Sequence, residues 1–214
     1  VLASSRLVAR TLVDGGVSSS KVFVLPLGVD LGRFYVEGNP ADGPFTLGFA
    51  GAVSIQKGIH VVTEALKILS DRTIRLWIAG QIIEEGKPFL KQMESLCELE
   101  VLGPVSQEVL RRRFSESHGF MLPSVQDGFG MVVTQAMACG CPVIVSRNAG
   151  ASEAVEEGES GLLFDSGDAA ALAKKISRLR DDREFGRYLG QNGLRAVSRI
   201  GGWDAYGDGL AEVL

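Results

Sequence analysis

The chain has 214 residues, of which 45% are hydrophobic and 22% charged. That is enough to build a full core, and it excludes a disordered or low-complexity polymer. A formal net charge of -4 excludes generic electrostatic capture of nucleic acid, while leaving room for one small basic pocket that holds phosphate.

In chain order, SSRLVARTLVDGG predicts a short amphipathic helix stopped at Gly15-Gly16, and KVFVLPLGVD predicts a strand running into a turn. Residues 33–44 are rich in chain breakers and form a connector. From Phe45 onward, strands and helices alternate. TLGFAGAVS, TIRLWIAG, VLGPV, GFMLPS, PVIVS and GLLF are six candidate strands. KGIHVVTEALKIL, KPFLKQMESLCEL, QEVLRRRF and GMVVTQAMACG are the helices between them, with one helical turn at SEAVEEG. Two longer helices, DAAALAKKISRL and DREFGRYLGQNGLRAVSRI, follow, and GGWDAYGDGLAEVL is a tail. This alternation predicts an α/β fold, a doubly wound parallel sheet with helices on both faces.

In such sheets ligands bind beyond the C-terminal strand ends, where helix N-termini expose amides. GAVSIQKG, AGQ, PSVQDGFG and SRNAG all follow strands, so they are expected to meet along one rim. GAVSIQKG matches neither GxGxxG nor GxxxxGK[ST], which excludes a dinucleotide fingerprint and a P-loop. Lys57 sits close to a helix start, against the dipole unless an anion offsets it; it is either a phosphate ligand or a solvated lysine. Gly128, Phe129 and Gly130 precede a helix, and their backbone is free to present successive amides to an oxyanion. Phe129 either underlies a ligand or closes the core. Asp127 is either a helix cap or a sugar-hydroxyl acceptor, and Gln135 either addresses ribose hydroxyls or faces solvent.

The remaining reactive residues carry less. His60 and His118 have no nucleophile and carboxylate placed beside them, so no triad follows. Ser124 in LPSVQ lacks the GxSxG setting. Arg111, Arg112 and Arg113 fall late in a helix, where basic residues suit the dipole and solvent. Cys97, Cys139 and Cys141 are odd in number and lack a second pair or a nearby histidine, so they read as buried thiols, with no metal site and no cofactor. No segment is long and apolar enough to span a bilayer and no secretory leader opens the chain, so the expected location is cytoplasmic, with peripheral contact at the inner membrane surface open to the longer parent.

The ordered series VLPLGVD, GAVSIQKG, LWIAG, VLGPVS, GFMLPSVQDGFGMVVTQAMACGCPVIVSRNAGASEAVEEGESGLLF and DAAALAKKI closely resembles the C-terminal, donor-binding half of retaining GT-B glycosyltransferases of the glycosyl transferases group 1 type (family 4). The resemblance implies three regions. Residues 1–44 are an N-terminal helix, strand and connector beside a missing acceptor domain; 45–180 are a Rossmann-like nucleotide-sugar-binding domain; 181–214 are a helical segment crossing back toward the missing domain. It also implies the donor-binding set Gly51, Lys57, Asp127, Gly128, Phe129, Gly130, Met131, Val132 and Gln135, of which Lys57 (diphosphate) and Asp127 (donor sugar) are the catalytic pair. The implied donor is a UDP, GDP or ADP sugar, and the acceptor is held mainly by the missing domain.

Three positions depart from the family pattern. The Arg of its first rim loop falls on Ala52, its second carboxylate on Gln135, and the Asn of its VLPxGVD turn on Leu27. These changes soften the polar rim and keep two alternatives in view, a nucleotide-sugar epimerase of related fold and a noncatalytic nucleotide-sugar-binding module.

Overall fold

The computed structural model describes residues 1–40 and 42–213. The first residues form a strand, β1 (Leu2–Ala3), paired in parallel with β2 (Phe23–Val24) across helix α1 (Arg6–Asp14). Ser5 caps α1 by accepting the Val8 N–H, and the helix stops at Gly15, as its sequence predicts. The strand expected to run into a turn in KVFVLPLGVD is the two residues of β2, and Pro26, which supplies no N–H to a ladder, follows it.

The main sheet contains β3 (Thr46–Ala50), β4 (Arg75–Ala79), β5 (Glu98–Gly103), β6 (Gly119–Leu122), β7 (Val143–Ser146) and β8 (Leu162–Phe164). All neighbours pair in parallel, in the order β5-β4-β3-β6-β7-β8. The connecting helices are α2 (Ile59–Leu69), α3 (Lys87–Met93), α4 (Gln107–Ser115) and α5 (Met131–Ala138), followed by α6 (Ala169–Asp181), α7 (Arg183–Ile200) and α8 (Trp203–Val213). The six strands expected from sequence are therefore the six of the sheet. Two boundaries differ. The helix expected over residues 87–99 ends at Met93, and Glu98 and Leu99 open β5 because their backbones pair with Arg75 and Leu76. The segment read as a tail is helix α8, which buries none of its described residues.

Side-chain alternation divides the interior into two layers. Leu47 and Phe49, Leu76 and Ile78, Met121, Ile144, and Leu162 with Phe164 pack against α2, α3 and α6. The intervening residues Trp77, Phe120, Leu122, Val143 and Val145 pack against α4, α5 and part of α7. A strand buried on both faces needs apolar residues at consecutive positions, which is how FAGAV, LWIA and PVIV read. Trp77 satisfies its buried indole N–H on Ser117 Oγ at 2.8 Å. The sheet is Rossmann-like and doubly wound, and its strand order reverses between β3 and β6. Loops leaving those two strands run to opposite faces and open a crevice between them.

Candidate functional site

Two loops meet at that reversal. The first follows β3 and carries Gly51, Ala52 and Lys57; the second follows β6 and carries Ser124, Asp127 and Gly130. They are tied directly, the Val125 N–H donating to the Gln56 carbonyl at 2.9 Å. The second loop is also held from β7. The Asp127 N–H donates to Asn148 O and the Gly150 N–H to Asp127 O, both at 3.0 Å, which prolongs the sheet as a short parallel bridge between Asp127 and Ala149.

Lys57 and Asp127, 70 positions apart, form an ion pair with Nζ 2.5 Å from Oδ2. The side chains are 27% and 11% exposed. Ser124 donates its hydroxyl to the same carboxylate oxygen at 3.4 Å, and Lys57 donates its backbone N–H to Ser54 Oγ at 3.2 Å. The anion that offsets the lysine near the start of α2 is thus, in this structure, Asp127. Asp127 is not a helix cap: the N-cap of α5 is Gly130, and no side chain caps it. The α5 N–H groups at Met131 and Val132 lie in the first turn, where no intrahelical acceptor exists.

Glycine is required by geometry at two of these positions. Gly130 has φ +84, and a Cβ there would come within 2.5 Å of Leu122 Cδ2 and 3.5 Å of Asp127 Oδ2. The carboxylate therefore lies over the start of α5. Gly58 has φ +79, and its Cβ would stand 1.9 Å from the Pro123 carbonyl oxygen, so the two loops touch backbone to backbone. Gly51 lies beside the aliphatic stem of Lys57, at 3.9 Å from a notional Cβ to Cδ.

The expected site residues are brought together unequally. Lys57 and Asp127 meet, with Gly51 beside the lysine and Gly130 beside the carboxylate; Met131 and Val132 follow Gly130 in the first turn of α5, and Gly128 turns its carbonyl to Ser4 and Ser5. Phe129 is 8% exposed, which is compatible with either of its two readings. Gln135 lies one turn along α5 from Met131, partly exposed, with no hydrogen bond to Lys57 or Asp127. Ala52 is partly exposed in the first loop. Leu27 stands elsewhere, next to Gly28, which packs on Gly202 where the chain turns into α8.

The residues set aside at the sequence level have structural roles. His118 accepts the Thr46 N–H on Nδ1 at 3.0 Å, and the His60 ring packs 6.2 Å from Phe89. Arg111 pairs with Glu37 and Arg113 with Glu100. All three cysteines are buried and free. Burial pushes the Cys97 thiol up to about 11 and Cys139 up to about 12. Among the described residues, no group of three or more His, Cys, Asp or Glu is placed to hold a metal ion, and no helix is long and apolar enough to cross a membrane.

A supporting layer escapes sequence reasoning. Ser5, 1% exposed, donates to the Gly128 carbonyl at 2.9 Å, and Ser4 reaches the same oxygen at 3.2 Å. Glu153 accepts the Arg6 and Leu7 N–H groups at 3.1 and 3.0 Å, capping α1 from the loop after β7. The start of the chain is thereby fastened to the second rim loop. The serine pair and the SEAVEEG glutamate were the only signals, and neither indicates its partner.

The sequence model for glycosyl transferases group 1 matches residues 35–196. An uncharacterized glycosyltransferase of Methanocaldococcus jannaschii is 31% identical over 194 residues, covering 91% of this chain and 53% of that protein. A D-inositol 3-phosphate glycosyltransferase of Xylanimonas cellulosilytica is 31% identical over 244 residues, covering 100% of this chain and 57% of its own. The chain thus spans about half the length of the curated relatives it matches. Among solved structures, sucrose-phosphate synthase from Thermosynechococcus elongatus superposes with a TM-score of 0.86 at 28% identity, covering 100% of this chain and 57% of that one. HepE from Anabaena, solved in complex with UDP and glucose, gives a TM-score of 0.89 at 22% identity, with 100% and 62% covered.

Proposed function

The chain belongs to the glycosyl transferases group 1 family, and from that premise we propose that it is the C-terminal, donor-binding domain of an enzyme that transfers a hexosyl group from a nucleoside-diphosphate sugar to an acceptor with retention of configuration. The observation that carries this reading is the convergence of Lys57, Asp127 and the uncapped N-terminus of α5 at the strand-order reversal of the sheet. A helix start with free amides and a positive dipole end attracts an oxyanion, and a lysine beside it adds a full charge. The solved complex of HepE with UDP-glucose is consistent with that ligand class.

In this proposal the donor diphosphate takes the place that Asp127 now occupies on Lys57. Lys57 Nζ and the Met131 and Val132 amides stabilise the charge that grows on the departing diphosphate, an interaction stronger in the transition state than in the ground state. Asp127, released from the lysine, accepts sugar hydroxyls, and Gln135 addresses the ribose. Residues 45–180 hold the donor, while 1–44 and 181–214 face a preceding acceptor domain. The exposed Val1, Leu2, Phe23, Val24 and Trp203 support that assignment, since they lie on elements that bury little against the rest of the chain. The proposed setting of the parent is cytoplasmic or at the inner membrane surface.

The reading is tested with a full-length parent protein by assaying nucleoside diphosphate release from UDP-, GDP- and ADP-hexoses with and without acceptors, and by determining the anomeric configuration of the product. Acceptor-dependent release with retention is the expected result. Isomerisation of the sugar without acceptor identifies an epimerase instead. Tight donor binding with neither transfer nor hydrolysis identifies a binding module, the second reading that Ala52 and Gln135 favour.

A further inference from the structure

At the end of the sheet opposite Lys57 lies a cavity of about 630 Å³. Its walls are the connector ahead of β3, the residues just before β6 and β7 (His118 and Pro142), the end of α5 (Cys139 and Gly140), and the first turns of α7. The volume falls within the range of small-molecule pockets. Because all six strands run parallel, this cavity lies beneath their N-terminal ends, whereas the Lys57 crevice lies above their C-terminal ends.

Arg183, in the first turn of α7, is the unusual group in its lining. Its Nη2 donates to the Gly43 carbonyl at 3.3 Å, and its guanidinium carbon stands 4.8 Å from the centre of the Phe45 ring. Its Nη1 is buried with no hydrogen-bond partner. Burial pushes the guanidinium pKa down, and no acidic neighbour offsets that effect. The side chain as a whole is half-buried, and a guanidinium with one donor unpaired and no counter-charge is a position that an anion can complete. Arg187, one turn further along α7, also lines the cavity and has only a loose 3.8 Å contact with Glu184. Asn39, Gln191 and Asp42 add hydrogen-bonding groups to the wall, and Pro142, Leu179 and Leu194 add apolar surface. Amide side chains with one carboxylate suit hydroxyls, and the carboxylate disfavours a second phosphate.

We propose that this cavity is a second ligand site, for a small phosphorylated polyol whose phosphate sits between Arg183 and Arg187 and whose hydroxyls meet Asn39, Gln191 and Asp42. Paired guanidinium groups are well matched to phosphate oxygens. The site is independent of the donor reading, since it shares no residue with the crevice at Lys57.

Titration calorimetry of this chain tests it, with glucose 6-phosphate and glycerol 3-phosphate as probes and inorganic phosphate and glucose as parallel arms. Saturable one-to-one binding of at least one polyol phosphate is expected, about tenfold or more tighter than inorganic phosphate, with no heat from glucose. Arg183→Met and Arg187→Gln are each expected to weaken it by about tenfold or more, and Lys57→Ala to leave it unchanged. The proposal is overturned if neither probe saturates, if inorganic phosphate binds as tightly as either, or if Lys57→Ala abolishes binding while the arginine variants retain it. Should Arg183→Met lower the unfolding temperature too far to titrate, the exposed Arg187→Gln variant decides alone, and undiminished binding there overturns the proposal.

Discussion

The Lys57–Asp127 pair makes the donor reading testable on this chain without a full-length enzyme. At 2.5 Å, an effective dielectric of about 20 gives about 7 kcal/mol of gross attraction. Desolvation of both ends, and solvent reaching a lysine 27% exposed and a carboxylate 11% exposed, leave about 1–2 kcal/mol net. A diphosphate must displace or share that contact to reach Lys57 Nζ. Asp127→Asn removes the internal competitor, so pyrophosphate is expected to bind about tenfold tighter, the equivalent of about 1.4 kcal/mol. Lys57→Met removes the cation and is expected to weaken pyrophosphate by at least as much. The same Asp127→Asn change is expected to gain less for UDP-glucose than for pyrophosphate, because the sugar loses its hydroxyl acceptor. Calorimetry with the three proteins and both ligands reads all of this. If Asp127→Asn and Lys57→Met weaken pyrophosphate equally, the carboxylate is a structural prop for the crevice and the competition argument fails.

Gly58→Ala places a Cβ 1.9 Å from the Pro123 carbonyl oxygen at a φ of +79, so about 3 kcal/mol or more of destabilisation and a drop in melting temperature of roughly 10 °C are expected; Gly38→Ala, with nothing within 4 Å of its Cβ, is the control with little change. Asp71 is held below the ordinary carboxylate range by hydrogen bonds from Thr73 and by Arg180. The stability it contributes is therefore present above about pH 4 and fades as pH falls through its lowered folded value, so urea midpoints of Asp71→Asn should decline less than those of the parent between about pH 5 and pH 2. Cys139, pushed up to about 12, and Cys97, pushed up to about 11, should resist iodoacetamide at pH 8 in the folded chain and react promptly in urea, as mass spectrometry would register.

The strand pattern was legible because both faces of the sheet are covered. Continuous apolar runs such as LWIA and PVIV, each closed by small or polar residues, have no stable alternative in a chain with helices on either side. The end of α3 was not legible, because Glu98 and Leu99 continue a helical pattern and become strand only through pairing with Arg75 and Leu76. Helix α8 was hidden for another reason: with Gly207 and Gly209 inside it and no described residue buried, neither propensity nor an apolar stripe marks it. Within the crevice, residue types pointed to an oxyanion, but the sequence spacing of Lys57 and Asp127 says nothing about their contact. Tertiary pairing alone brings them together, and the same holds for Ser5 on Gly128 and Glu153 on α1.

Replacing an expected arginine by Ala52 leaves Lys57 as the one cationic side chain of the loop over residues 51–58, and the geometry bears on what that change costs. Were side-chain charge the whole of the anion site, losing one of two cations would remove much of it. Here the second rim loop is fixed by backbone bonds to Asn148 and Gly150 and by the serines at the chain start, so the first-turn amides of α5 are held in place before any ligand arrives. Preorganised dipoles in a part-buried crevice need no rearrangement to meet developing charge. Their orientation follows from Gly130, whose left-handed conformation starts the helix and whose missing Cβ leaves room for Leu122 and the Asp127 carboxylate. On the proposed function, the burden of binding a diphosphate would shift from a mobile guanidinium to a backbone fixed by the fold, and the glycines of DGFG would then weigh more in this chain than the absent arginine.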